Sequence, residues 1–463
     1  MARRTFAIVG ATAVIVVLAL AAFVVSKKDA LRVATNSVSR SLCTATFVSN
    51  VDPDKMFQEE QLPNMRSIAW AIHYHVDRDA RQVRTHILGG FGARAIFRPG
   101  LGCLLVHGKH DVPDLAGFVD TSTIEHSFAD TSVVEPTDPA IRTALDHAFA
   151  EPDPQHLRQT KALVVLHDGK LIAERYAPGY GPDTPIWGHS LSKSLTSALI
   201  GILVRQGKLK LDQPAPIAAW ASPDNPHHAI TIEQLLRMDS GLGFDETNGP
   251  ESPTTRMWFL ERDMTAFAAK LPMEHPPGTV WGYSNASYVL LSRIAVDAAG
   301  GGGAVNAERL FRRELFAPLG MSTAVIETDI RGTPIGSSHV YASARDFARF
   351  GQLYLDDGML GEQRILPEGW VSFSRSQTLK TGYGAGFWTN LVNEGTVPVW
   401  DAPWGMPKLP KDMFYARGAF GQYVVIVPSE HLVVARLGIS VEGGTGIGDV
   451  IAEIIAALHK TSG

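Results

Sequence analysis

The stretch that most restricts how this chain can fold is Ala177-Pro178-Gly179-Tyr180-Gly181-Pro182-Asp183-Thr184-Pro185. Through Ile186 it leads into Trp187-Gly188-His189-Ser190-Leu191-Ser192-Lys193. Three prolines and two glycines in nine residues exclude a central strand, because proline cannot donate to a ladder and glycine weakens one. Gly188 to Ser192 sits one residue away from a G-x-S-x-G nucleophile elbow. That elbow needs a buried strand running straight into the serine. The approach rules against it, and position 192 is Ser rather than Gly. An elbow-type esterase stays as the minor alternative.

Read from its other end, the same stretch holds Ser190-Leu191-Ser192-Lys193, the chain's single S-x-x-K. Residues three apart share a helix face, and Leu195, Ala198, Leu199, Ile202 and Leu203 continue an apolar helical pattern. A serine hydroxyl is a weak nucleophile until a base takes its proton. A lysine becomes such a base when burial disfavours its charged form. Taken alone, Ser190 serves equally well as a helix N-cap with Lys193 in the first turn. The second feature is Tyr283-Ser284-Asn285, the chain's one Y-x-N, placed before another apolar helix. Beside a Ser/Lys pair, Tyr283 would act as phenolate or proton relay. Asn285 would orient the lysine or hold a substrate carbonyl. A core tyrosine followed by a capping asparagine is the plainer reading of those two residues.

Elsewhere the pattern predicts a helix over 138–150, opened by Asp138-Pro139, and a hairpin of 162–166 and 171–176 around Asp168-Gly169. Helices follow over 191–204, 231–238, 285–299 and 344–355, then strands over 413–415, 423–428 and 432–437, and a closing helix over 449–459. An early hairpin, a block of helices and a late strand group suggest an antiparallel sheet built from both chain ends and flanked by helices. The class is α+β, with a mostly helical subdomain. Residues 31–110 read as strand-rich and 111–137 as a polar linker. The domains are then 1–30, 31–137 and 138–463.

Residues 6–25 form an uncharged apolar run after Arg3 and Arg4. About twenty helical residues span roughly 30 Å, the thickness of a bilayer's hydrocarbon. This predicts a transmembrane anchor, or a cleaved signal with a site near Ala19-Leu20-Ala21. Either one exports the remainder, so the expected place is the cell envelope: anchored in the inner membrane with the rest outside the cytoplasm, or secreted. The two cysteines, Cys43 and Cys103, then lie where disulfides persist, and one pairing is possible; two buried free thiols are the alternative. A net charge of -5 with 19% charged residues shows no basic nucleic-acid surface. Sixteen scattered histidines show no metal-ligand spacing. Neither a metal nor a cofactor is expected.

The order of these motifs resembles the serine β-lactamase and penicillin-binding-protein superfamily, nearest its class C-like branch of 6-aminohexanoate-dimer hydrolases, esterases and D-aminopeptidases. The resemblance runs from about residue 138 to the C-terminus. It includes Ile230 to Leu242 (ITIEQLLRMDSGL), Leu315 to Met321 (LFAPLGM) and Gly421 to Gly438 (GQYVVIVPSEHLVVARLG). It implies a β-lactamase/transpeptidase-like fold and a serine hydrolase acting on a small-molecule amide or ester. Ser190 would be the acylated nucleophile, Lys193 its base and Tyr283 a proton relay, with Asn285 assisting. The family's third motif, K-T-G or H-x-G on a strand, is where the chain departs. Lys380-Thr381-Gly382 comes too early, ahead of a Pro/Trp-rich loop over 397–410. Ala416-Arg417-Gly418-Ala419 precedes the last strands, so the motif strand is placed there without its lysine or histidine. The N–H groups of Ser190 and Ala419 would then form the oxyanion hole, with Gly421 and Gln422 as the other candidates for the second donor. A degraded third motif leaves a different class open: a catalytically silent envelope binding or sensor domain on the same fold.

Overall fold

A computed structural model describes residues 25–463 except 88, 109–123, 125–131, 244–245, 247–248, 392–404, 441–443 and 462–463. The apolar run over 6–25, save Val25, and most of the 111–137 linker lie outside the described residues. Among the described residues, no helix is long and apolar enough to cross a membrane.

The N-terminal unit begins with α1 (Lys28–Phe47). Its helical form corrects the strand-rich reading for residues 31–47, whereas four strands do form over 72–105. Val33-Ala34-Thr35-Asn36-Ser37-Val38-Ser39 is rich in β-branched and small polar residues of modest helix propensity. Tertiary packing decides its form. One face of α1 covers an antiparallel sheet of β1 (Ile72–Asp77), β2 (Gln82–Ile87), β3 (Gly90–Arg98) and β4 (Gly102–Leu105), in that order. Val38, Leu42, Val83, Ile87, Ala95 and Leu105 are buried in its own core. Cys43 of α1 is bonded to Cys103 of β4, closing a separation of 60 residues. Constraining that loop in the unfolded chain is worth about 4 kcal/mol in the chain-entropy model. A Cys43→Ser, Cys103→Ser double variant is therefore expected to lose stability on that order. Urea unfolding checks it, and a loss under about 1 kcal/mol would show that the unit stands without the bond.

The larger body starts with α2 (Pro139–Phe149), whose first turn is capped by Asp138 accepting from Ala140 N–H. The hairpin of β5 (Thr160–His167) and β6 (Lys170–Tyr176) turns through Asp168 and Gly169. Both turn residues have positive φ (49° and 71°), which the type I′ turn of a two-residue hairpin requires. A short β7 (Ile186–Trp187) precedes α3 (Leu191–Arg205). Next come α4 (Ile232–Arg237), α5 (Pro253–Phe259) and α6 (Asn285–Ala298). They are followed by β8 (Val325–Ile326), β9 (Val340–Ala342) and α7 (Ala344–Leu355). The chain ends with β10 (Trp388–Thr389), β11 (Phe414–Gly418), β12 (Gln422–Val427), β13 (Leu432–Gly438) and α8 (Ile447–Thr461).

The main sheet is antiparallel, in the order β10-β11-β12-β13-β5-β6. Pairing of β13 with β5 (Val434 opposite Val165) ties the chain's late strands to its early hairpin. Helices α2 and α8 pack together, while α7 crosses β12 and β13. A Cβ on Gly351 of α7 would come within 2.6 Å of Val433 and 2.8 Å of Val424, so glycine allows that close approach. Helix α3 is buried from Leu191 to Leu203, and its buried Ser194, Thr196 and Ser197 hydroxyls donate to the carbonyls of Gly386, Gly336 and Ala385.

The N-terminal unit is keyed to this body by a buried polar cluster. Arg40 Nε donates to Glu327 Oε2 at 2.9 Å, and Glu327 Oε1 accepts from Thr44 Oγ1 and the Cys103 N–H, both at 2.7 Å. Arg98 donates to Thr328 Oγ1. Leaving any of these charges buried without a partner would be strongly destabilising.

Candidate active site

Ser190 stands at the N-terminus of α3, at the N-cap position, yet its side chain makes no capping hydrogen bond. The plain capping role is therefore absent, and the hydroxyl is left for other partners. The turn before it is tight. His189 holds a left-handed φ of 47°, uncommon for a residue with a Cβ. Its ring is clamped against Trp187 at 3.9 Å and meets the edge of Phe420 at 4.9 Å. Burial pushes the His189 imidazole down to about 3, so it is neutral and not the charged partner of Ser190. Ser192, the other serine of the motif, donates to His189 O at 2.7 Å and accepts from Val340 N–H at 3.0 Å. It is a buried brace between the turn and β9.

Lys193 lies one turn along α3 and is buried. Its Nζ donates to Ser190 Oγ at 3.0 Å, to Asn285 Oδ1 at 2.6 Å and to Ser337 O at 2.7 Å. It also sits 4.8 Å from the ring centroid of Tyr283. Burial draws the ammonium well below the usual lysine range, against an opposing pull from Glu246. Desolvation of the charged form is the cause, and the result suits a base that must be neutral. Trp258 Nε1 donates to Ser337 Oγ and Trp187 Nε1 to Ser338 O, which steadies the carbonyl that holds Lys193.

Tyr283 is buried, stacks on Trp388 at 6.0 Å and shares a hydrogen bond with the Ser190 side chain. Burial, reinforced by Tyr383, holds its phenol well above the ordinary tyrosine range. That direction favours the neutral phenol over the phenolate. Asn285 is the first residue of α6, beginning after the Ser284 cap, and faces Lys193 through its amide oxygen.

The late strand also reaches this turn. A Cβ on Gly418 would lie 2.3 Å from the Gly188 carbonyl oxygen, so only glycine lets β11 close on the nucleophile segment. Ala419 follows directly and is exposed, between Gly418 against Gly188 and Phe420 against His189. It stands at the end of β11, beside the turn that carries Ser190. Arg417 alternates with Gly418 along β11 and lies over the Tyr423 ring at 5.8 Å. Lys380, by contrast, is exposed in a turn with φ 61° and belongs to no strand of the sheet.

Glu246 is the residue that sequence reasoning did not find. It lies in a loop and is nine-tenths buried. One carboxylate oxygen accepts from Asn285 N–H at 2.6 Å. The other accepts from Asn285 Nδ2 and from Thr254 Oγ1. Burial raises its carboxyl above the usual range. No local motif marks it, since its partner is 39 residues away.

Several known proteins resemble this chain. The chain is 28% identical over 227 residues to the 6-aminohexanoate-dimer hydrolase of Paenarthrobacter ureafaciens, covering 46% of this chain and 56% of that one. It thus matches little more than half of that relative's length. Penicillin-binding protein 4 of Amycolatopsis lactamdurans is 25% identical over 317 residues, covering 59% of this chain and 75% of that protein. The solved structure of a penicillin-binding-protein homologue from Caulobacter crescentus superposes with a TM-score of 0.53 at 19% identity, covering 72% and 100% of the two chains, and shares the fold. The model of the beta-lactamase family matches residues 145–444, a span that holds Ser190, Lys193, Tyr283, Asn285 and Ala419, and the chain belongs to that family of serine hydrolases.

Proposed function

We propose that the protein is an exported serine hydrolase that cleaves an amide or ester through an acyl-enzyme on Ser190. The observation that carries this reading is the 3.0 Å contact from a buried Lys193 Nζ to Ser190 Oγ. Neutral Lys193 takes the Ser190 proton as Oγ bonds to the substrate carbonyl carbon. The N–H groups of Ser190 and Ala419 would receive the developing oxyanion. Tyr283 gives its phenolic proton to the departing nitrogen or oxygen and is restored by the Lys193 ammonium. Water then attacks the acyl carbon by the reverse proton path and frees Ser190. Labelling by a fluorophosphonate probe with intact mass spectrometry tests the reading. A chain that takes no label would favour the silent binding domain. The elbow-type alternative has no support from Ser190, which follows a two-residue strand outside the main sheet.

The substrate proposed is a neutral or differently charged amide or ester rather than a β-lactam. Strand β11 offers Ala416, Arg417 and Gly418 where a lysine or histidine would help bind a β-lactam carboxylate. Arg417 springs from the face opposite the Gly418–Gly188 contact and lies over Tyr423. The kcat/KM for a short p-nitrophenyl ester or a small amide oligomer is expected to exceed that for a chromogenic cephalosporin by tenfold or more, about 1.4 kcal/mol of transition-state preference. A cephalosporin preferred by the same margin would assign a carboxylate-binding role to Arg417 or Lys380.

Export is part of the proposal. It is supported by the uncharged run over 6–25 and by the Cys43–Cys103 bond, of a kind that persists in oxidising compartments. The proposed place is the cell envelope, anchored in the inner membrane with the catalytic domain outside the cytoplasm, or secreted if the segment is removed. Carbonate-washed membranes are expected to retain the full chain and release one lacking residues 1–24. Equal release of both would end the anchor reading.

A further inference from the structure

Glu246 has two partners on one residue, and they serve different ends. Its bond from Asn285 N–H satisfies a free donor at the start of α6, as a carboxylate at a helix N-terminus commonly does. A cap of that kind has no need of the Asn285 side chain, which Glu246 also holds. A carboxylate only accepts hydrogen bonds. Binding Asn285 Nδ2 therefore forces the amide oxygen to the other side, where Lys193 Nζ donates to it at 2.6 Å. Without Glu246, nothing in this contact prevents the amide from turning over and presenting a donor to a donor.

We propose that Glu246 is a positioning residue for acylation: through Asn285 it fixes the acceptor that aims Lys193 at Ser190, and its negative charge sets the pH at which Lys193 becomes a base. The proposal rests on the acyl-enzyme reading of Ser190 and adds a residue to it. The charged and titratable groups around Lys193, among the described residues, are few. His189 is kept neutral by burial. Tyr283 is kept protonated by burial, with Tyr383 and Arg417 acting on it in opposite senses. Burial raises the Glu246 carboxyl, while Lys193 and the Asn285 donors favour its ionised form; in that form its charge opposes the loss of the Lys193 proton. Thr254 adds a donor at 3.1 Å that favours the same ionised form. When Lys193 takes the Ser190 proton it becomes an ammonium in a buried site, and Glu246 is its counter-charge.

The test is the pH dependence of single-turnover acylation by an activated ester, with fluorophosphonate labelling of Ser190 measured in parallel on the full chain. In Glu246→Gln the acid limb is expected to move to lower pH by about one unit, as loss of a nearby charge at protein-like dielectric predicts. Its plateau should fall about tenfold, because the base is weaker and its ammonium less stabilised. Glu246→Asp restores the charge and should bring the midpoint back towards wild type, even if its plateau stays low. An acid limb in Glu246→Gln that coincides with wild type makes Glu246 a structural cap and overturns the proposal. Should Glu246→Gln fail to fold, Thr254→Val weakens the carboxylate without removing it. Its midpoint should move the same way by a few tenths of a unit, and coincidence with wild type again overturns the role. Failure of the acyl-enzyme reading looks different: the wild-type chain itself would take no label on Ser190.

Discussion

Ser190→Ala is expected to lower turnover by about 10⁴-fold or more and to remove fluorophosphonate labelling entirely, since loss of the nucleophile leaves only binding and oxyanion stabilisation. Ser192→Ala is the matched comparison. Ser192 is buried and already committed to His189 O and Val340 N–H, so its hydroxyl has no free path to a substrate. That variant should keep its label and most of its activity. It should lose about 1–3 kcal/mol of stability, because the Val340 N–H is left buried without an acceptor. The mass of the labelled protein after proteolysis locates the adduct. A label on Ser192, or one that survives Ser190→Ala, would remove the nucleophile assignment.

Lys193→Ala should lower acylation by about 10² to 10⁴, the span usual for a positioned acid–base group. The pH profile gives the more specific reading. Burial lowers the Lys193 pKa, so in the wild type acylation should fall as pH drops through that value and the amine gains a proton. In Lys193→Ala that limb should vanish, because the group that must be deprotonated is gone. Tyr283→Phe keeps Lys193 and should keep the limb while losing rate, with a larger loss on amides than on activated esters. Amides need a proton delivered to their nitrogen, whereas p-nitrophenolate leaves without one. Near wild-type rates for both variants on both substrates would mean that the roles are misassigned.

How much of this was legible beforehand follows from where each residue's partners lie. Ser190 and Lys193 are three apart on one helix, so their meeting is a local geometric fact and could be read from the chain. Asp168-Gly169 carries its own turn chemistry, and the apolar strands over 160–167 and 432–438 announce a buried sheet. Tyr283 and Asn285 were found by their spacing, but that spacing said nothing of the phenol's charge. Burial beside Tyr383 and Trp388 determines that. The disulfide was one of two readings of Cys43 and Cys103 until packing brought α1 and β4 together. Helix α1 was read wrongly because its Val, Thr and Ser residues favour other states locally. A sheet packed against it and the Arg40–Glu327 pair override that preference.

The sequence by itself determined that Ser190 and Lys193 can share a helix face, that one sheet is built from both chain ends and that the third motif lacks its lysine or histidine. Each is a matter of residue type at short range, or of a pattern long enough to bury a face. Only the tertiary structure decided which serine is free, since Ser192 is held by a β9 N–H 148 residues away. It also decided that Lys193 is dry enough to be a base and that Glu246 belongs to the site. Desolvation and hydrogen bonding depend on what the folded chain places within a few ångströms, and Glu246 and Asn285, 39 residues apart, become neighbours only when α6 is docked.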